Sequence, residues 1–385
     1  MRGAWVLVLA ASCSPATERA AALPTPCAAP SDAPDGGARG PGTVAQEPRL
    51  ALTLAPIPPP DARIRVRIEV TGLGPLRTFL VTAPPGRFAD LAVSDGAGAV
   101  PFTFDATPEG SVVTLARGTT GPVALTYTRA GEGTAHDPLS PLVLEDRARL
   151  SGEGMLLLPD GLEDVVTPIV VTLDGSALRA PDGASTLGVG SSHGAKARVG
   201  ALRRASFLLG SLGTAVFEAP DGHDAAAWLG YTAFDPRPAA AEVALVRTSI
   251  GELFRAPDRE PRAVLFFAHA RPVGSFTTHP RAGGVLVQLG PSEPWSAHLR
   301  LALTQQTMRR WIGRDLQVAT GNSLAEAYWL TEGVARYASA RLLRQLGLLS
   351  AEDARDVIAG ALSALATSGH RGEGNERLAA RASAD

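Results

Sequence analysis

The sequence predicts an α+β chain in two folded parts, an all-β sandwich or saddle-shaped sheet followed by a mainly helical part. Three observations carry this. The 385 residues exceed one small core and fit two domains with appendages. Arg63-Ile64-Arg65-Val66-Arg67-Ile68-Glu69-Val70 alternates strictly between polar and apolar residues, the period of a half-buried strand. After Phe234-Asp235-Pro236 the apolar spacing changes to that of helices.

Bulk composition narrows the function classes. A hydrophobic fraction of 45% is that of a globular protein. A net charge of −2 argues against nucleic acid as a general partner, because phosphate binding needs a basic surface. Lys196 is the only lysine among 36 basic residues, which reads as GC-rich coding bias. A role for the arginines in anion contacts would need clustering, and they are spread along the sequence.

The amino terminus reads as a targeting segment. Met1-Arg2 precedes the apolar run Gly3–Ala11, too short to span a bilayer and of signal-peptide length. It ends in Leu9-Ala10-Ala11-Ser12-Cys13, which resembles a bacterial lipobox. That resemblance implies a lipoprotein-type signal peptide over residues 1–13, lipidation of Cys13, and a lipid-anchored place in the bacterial cell envelope. Ordinary secretion or periplasmic release, and a cytosolic protein with an apolar start, are the alternatives. Residues 14–48, rich in Pro, Ala and Gly, read as a disordered tether. Cys27 lies within it as an incidental thiol, so the folded parts have neither a disulfide framework nor a Cys-based zinc site. No later segment has about 18 consecutive apolar residues, so no second membrane anchor is expected.

Residues 49–235 form the predicted all-β part. Beyond the alternating run, strands are expected at Thr78–Thr82, Val112–Ala116, Val123–Thr128, Met155–Leu158, Pro168–Leu173, Ala205–Leu209 and Thr214–Ala219, separated by Gly/Pro/Asp turns. In residues 236–385 a helix is expected over Ala239–Arg255, with Val243, Val246, Ile250, Leu253 and Phe254 as its apolar stripe. Short buried strands follow at Val264–Phe267 and Val285–Leu289. Helices are then expected over Ser296–Gly313, Ser323–Leu346 and Ala351–Ala366. Ser323-x-x-Glu326 and Ser350-x-x-Asp353 are capping signals, whose side chains satisfy free amides of the first turn.

The chemistry is concentrated in two of these helices. One carries Gln305-Gln306-Thr307-Met308-Arg309-Arg310-Trp311-Ile312-Gly313, the other Tyr328-Trp329-Leu330-Thr331-Glu332-Gly333-Val334-Ala335-Arg336-Tyr337. The second resembles the segment that delivers the third zinc ligand in gluzincin metallopeptidases. The first, through Arg309-x-Trp311-x-Gly313, resembles the helix that carries their two histidines. The order of elements resembles the glycyl aminopeptidase family of PDZ-bearing metallopeptidases and, more distantly, the membrane alanyl aminopeptidases. This implies a thermolysin-like second part over residues 236–385; because the sequence stops there, no PDZ domain is expected after it.

The resemblance sets Gln305 at the first His, Gln306 at the general base, Arg309 at the second His and Glu332 at the retained third ligand. Such enzymes need two His at i and i+4 with a Glu between them. Gln is a poor ligand and no general base near pH 7, and Arg has no lone pair to donate. No catalytic residue and no metal or other cofactor are therefore expected. A pairing of Arg309 with a buried Glu332 is expected instead, with a cost of about 3–5 kcal/mol for removing one partner. The family's edge-strand motif would fall on Gly283-Gly284-Val285-Leu286-Val287, without its polar pair.

The expected function is a catalytically inactive, metallopeptidase-like envelope lipoprotein that binds or scaffolds a peptide or protein in the cleft between its two parts. One alternative is an active zinc metallopeptidase with a non-standard site, using histidines such as His269 or His279. His136, His193, His223, His269, His279, His298 and His370 include no i, i+4 pair. A second alternative is a serine hydrolase, because Gly190-Ser191-Ser192-His193-Gly194 fits Gly-x-Ser-x-Gly. Tyr328, Trp329 and Tyr337 read as core packing along the stripe Leu324, Tyr328, Thr331, Ala335, Ala338, Leu342 and Leu346.

Overall fold

The computed structural model describes residues 47–131, 137, 140–180, 182–219, 222–230, 232–256, 262–312, 329–369, 373–374 and 377. The segments expected to be a signal peptide and a tether, up to residue 46 and with Cys13 and Cys27, and the Ser323-x-x-Glu326 box lie outside them.

Strands dominate. One sheet has the order Ser192–Arg198, Val166–Leu173, Arg49–Ile57, Arg63–Thr71, Val123–Ala130, Phe88–Asp95 and Gly98–Ala99. The alternating run is one of its inner strands, with Ile64, Val66, Ile68 and Val70 buried and the arginines between them facing out. A second sheet holds Leu158–Pro159, Thr78–Val81, Gly110–Leu115 and Phe102–Thr107, and a third holds Gly188–Val189, Gly183–Ser185, Ser206–Leu209, Ala148–Ser151 and Leu142–Val143. Leu50, Ile64, Phe79, Val113, Leu150 and Phe207 bring all three into one hydrophobic core.

The strand expected at Met155–Leu158 is a correction. Only Leu158–Pro159 pairs into a sheet. The amides of Met155 and Leu156 turn back to the Gly152 carbonyl, and the Leu157 amide donates to the buried Tyr127 hydroxyl at 3.1 Å. Local turn bonds have displaced the ladder.

The fourth sheet carries the functional elements. Its order is Gly213–Ala219, Gly222–Leu229, Arg262–Ala268, Gly284–Leu289 and Thr277–Arg281. Its first two strands precede residue 235, so the strand at Thr214–Ala219, assigned by sequence to the all-β part, pairs instead into the sheet that follows. Two inner strands, Arg262–Ala268 and Gly284–Leu289, are mostly apolar and buried along their whole length. One face, with Val264, Phe266, Val285 and Val287, packs on helices. The other, with Leu265, Phe267 and Leu286, meets Ala184 and Leu208 of the third sheet.

Helix α1 spans Pro236–Phe254. Asp235 caps it by accepting from the Arg237 amide, and Pro236 fits the first turn, where no amide bond is lost. Val243, Val246 and Ile250 are buried as expected, with Gly251 beside them. Leu253 departs from the expected stripe and is exposed in the last turn. Phe254 stacks on Trp311, with ring centroids 6.5 Å apart.

Helix α2 spans Ala297–Met308, with Ser296 as its N-cap. A π-helical turn, Trp329–Val334, leads into α3, Ala335–Gln345. Helix α4 spans Ala351–Thr367. Its expected capping box is present and reciprocal: the Asp353 amide donates to Ser350 Oγ at 3.0 Å, and the Ser350 amide donates to Asp353 Oδ2 at 3.3 Å.

Candidate functional site

Helix α2 is gripped on two sides. Leu299 and Leu303 pack towards the fourth sheet, while Leu301, Met308 and the following Trp311 pack with α3. Gln305, Gln306 and Arg309 are left at the border of these contacts, each half-buried. Residues i and i+4 of a helix lie on one face, so Gln305 and Arg309 point to a common place.

Glu332 occupies that place. It sits in the π-helical turn at the head of α3, and turns of this kind are frequent at functional sites. Gln305 Nε2 donates to Glu332 Oε2 at 2.8 Å, and Arg309 Nη2 donates to Glu332 Oε1. Arg309 Nη1 also donates to Gln306 Oε1 at 3.0 Å. Gln306 Nε2 in turn reaches Thr278 Oγ1, on the edge strand Thr277–Arg281, at 3.4 Å. One polar chain therefore runs from the edge strand across α2 to the π-helical turn. The four positions singled out by sequence are all in it.

The burial of this pair is a correction. The Arg309 side chain is 28% exposed and that of Glu332 is 48% exposed. The π-helical turn carries Glu332, Gly333 and Val334 on the surface. Solvent screens such a pair, so Arg309→Ala is expected to cost about 1 kcal/mol or less in a denaturant melt, not the cost of breaking a buried pair. A loss above about 3 kcal/mol would mean that the pair is far less hydrated than its exposure implies.

Other expectations are revised in the same region. Tyr337 is 61% exposed, so it is not part of the core. Ala335 and Leu342 are buried as the stripe required. Tyr328 and Leu324 lie outside the described residues. The segment Gly283–Val287 is not the edge: its strand, Gly284–Leu289, is fully buried between two others. The edge is Thr277–Arg281, whose Pro280 is tolerated where no neighbour needs its amide.

The two alternatives fare differently from the polar chain. Among the described residues no three His, Cys, Asp or Glu side chains converge as a metal site. His279 lies 3.1 Å from Thr277 Oγ1, and His298 is exposed on α2. Ser192 begins a strand, and its motif runs from the turn after Gly188–Val189 into the strand Ser192–Arg198, not through the strand-to-helix turn that a nucleophile elbow requires. His193 instead bonds Ser185 Oγ at 2.7 Å and the Gly190 carbonyl at 2.9 Å. Burial lowers its pKa, and Ser185 is fully buried, so this pair braces a turn.

The fold has solved relatives. An aminopeptidase N family protein from Idiomarina loihiensis superposes with a TM-score of 0.60 at 15% identity, over 78% of this chain and 55% of that one. An M1 zinc metallopeptidase from Deinococcus radiodurans aligns at 18% identity with a TM-score of 0.49, over 84% of this chain and 75% of that one. The chain thus spans about half the length of the first of these proteins. The first likeness shows a metallopeptidase-like fold of the aminopeptidase N type. No family model and no curated protein matches the sequence.

Proposed function

We propose that this chain is a metallopeptidase-like protein without metal or peptidase activity, which binds a peptide or protein ligand at the envelope surface. The observation that carries this reading is the occupation of both Glu332 carboxylate oxygens by N–H donors, from Gln305 and Arg309. These residues do not fit zinc. A guanidinium offers no lone pair, repels a cation, and already neutralises the one carboxylate in the set. A single carboxylate does not hold catalytic zinc. Gln306, beside them, cannot take a proton from water near pH 7.

What remains is a fold with an edge strand and an adjoining polar seam, and folds outlast the sites built on them. Within the gluzincins, Trp329-Leu330-Thr331-Glu332-Gly333 favours the glycyl aminopeptidase type. Cys13 is the lipid attachment point in this reading.

One preparation tests both halves of the proposal. The full chain and Cys13→Ser are expressed in a bacterial host without chelator, and location and zinc are measured together. The wild type is expected in the membrane fraction and the variant in the soluble fraction, with zinc near zero per chain in both. Near-stoichiometric zinc that disappears in Glu332→Ala would overturn the pseudoenzyme reading in favour of an active metallopeptidase. A wild type found wholly in the soluble fraction would remove the anchor.

A further inference from the structure

The two faces of the edge strand Thr277–Arg281 differ in chemistry. Thr278 is the residue that Gln306 of α2 reaches. Thr277, His279 and Arg281 alternate with it and pair with Gln288, Leu286 and Gly284, so they lie on the opposite face, the one that meets the all-β half of the chain.

Cations gather on that face. Arg271 Nη1 donates to Thr277 Oγ1 at 2.9 Å and to the Gln288 carbonyl at 3.5 Å. Arg281 is only 8% exposed in its side chain, and its closest carboxylate oxygen, on Glu153, is 3.7 Å away. Arg281 Nε has no hydrogen-bond partner among the described residues. Behind them Arg149 is buried. Its guanidinium lies 5.6 Å over the Phe267 ring and donates to the Asp137 and Ser140 carbonyls at 2.5 and 3.0 Å.

These groups feel one another. Burial, then the charges of Arg281, Arg149 and Arg271, lower the His279 pKa to about 4. Burial first, and then Arg281 and Arg271, lower that of Arg149 to about 10. Among the described residues, Asp137 and Glu153 are acidic groups that act on the cluster. With His279 neutral, three arginines of this cluster face two acidic groups among the described residues near pH 7. The Arg281 guanidinium, withdrawn from water and with an open Nε donor, matches a carboxylate in shape and sign.

We propose that Arg271 and Arg281, with His279 between them on the edge strand and Arg149 behind, form a carboxylate-binding subsite that selects acidic peptides. The proposal rests on the reading of this chain as a peptide-binding protein and names the ligand's charge. The carboxylate can belong to an acidic side chain or to a peptide C-terminus, and the test separates the two.

Three octapeptides carrying an uncharged fluorophore are titrated by anisotropy at low salt. One contains four Glu and an amidated end, the second has Gln in place of Glu, and the third is the Gln peptide with a free C-terminal carboxylate. The Glu peptide is expected to bind at least about tenfold tighter than the amidated Gln peptide. The preference should shrink to about twofold or less in Arg271→Gln and Arg281→Gln, and should weaken as salt is raised. Arg271 is only partly buried, so its variant carries the test if Arg281→Gln does not fold. A gain for the third peptide alone would support the same subsite with a C-terminal carboxylate as its ligand. Equal binding of all three would overturn the subsite and leave the peptide-binding reading standing. Binding of none up to millimolar concentration would overturn both. A Glu preference unchanged in both variants would put the anion elsewhere and overturn the assignment.

Discussion

Replacing Arg247 with methionine is expected to lower the unfolding free energy by about 3–5 kcal/mol. Arg247 lies on the buried face of α1, and Asp224 on the strand Gly222–Leu229 beneath it. Arg247 Nε is 2.8 and 2.9 Å from the two carboxylate oxygens, with side chains 2% and 7% exposed. Removing the guanidinium leaves a carboxylate where water does not reach, and that penalty, more than the lost attraction, sets the size of the effect. Replacing Asp224 with leucine in the same chain should recover a large part of the loss, since an apolar pair has no charge to desolvate. Urea unfolding of the two single variants and the double variant closes a thermodynamic cycle. A single-variant loss under about 1 kcal/mol would contradict the buried-pair account. The contrast with Arg309 is physical: both are Arg–carboxylate pairs, but one is dry and the other is half in water.

The second large effect is a gain. The variant Gln305→His/Arg309→His is expected to bind zinc at close to one ion per chain with Kd below about 1 µM, a binding free energy beyond about −8 kcal/mol. The wild-type side chains at these positions already converge on the Glu332 carboxylate. Imidazoles at i and i+4 would present two neutral nitrogen donors to the same point, and removal of the guanidinium frees the carboxylate. Two His and one Glu make a three-ligand set with room for water. Metal content by mass spectrometry after dialysis, with a competing chelator dye for affinity, is the measurement. A folded double variant that binds no zinc would show that the π-helical turn holds Glu332 out of ligand position. Gln306 remains in this variant, so metal binding without hydrolysis is the expected outcome.

Much of the fold was legible because local pattern and burial agreed. Arg63–Val70 alternates because one face is core and the other water, and α1 was placed by its stripe of Val243, Val246 and Ile250. Gln305, Gln306, Arg309 and Glu332 were picked out by the resemblance to gluzincin helices, and helical i, i+4 spacing then brings Gln305 and Arg309 to one place. The edge strand was missed because Pro280 and its polar residues argue against a strand, while the apolar run at Val285–Val287 advertised one. Tyr337 was misassigned because a stripe reports periodicity and not what packs on it. The basic cluster could not be seen at all: Arg149 lies far in sequence from Arg271 and Arg281 and meets them only in the fold. Spread along the chain, they looked like coding bias.

The hairpin Gly213–Leu229 crosses from one half of the molecule into the sheet of the other, and Trp228, Phe266 and Val287 are aligned across three of its strands. The sheet that packs on α1 and α2 therefore takes its first two strands from upstream of α1. Residues 236–385 alone would leave Arg262–Ala268, every residue buried, as a bare apolar margin open to pairing with other chains. The two halves are not interchangeable cassettes. Recombination or truncation at the helix start would divide a sheet and part Arg149 from the edge strand.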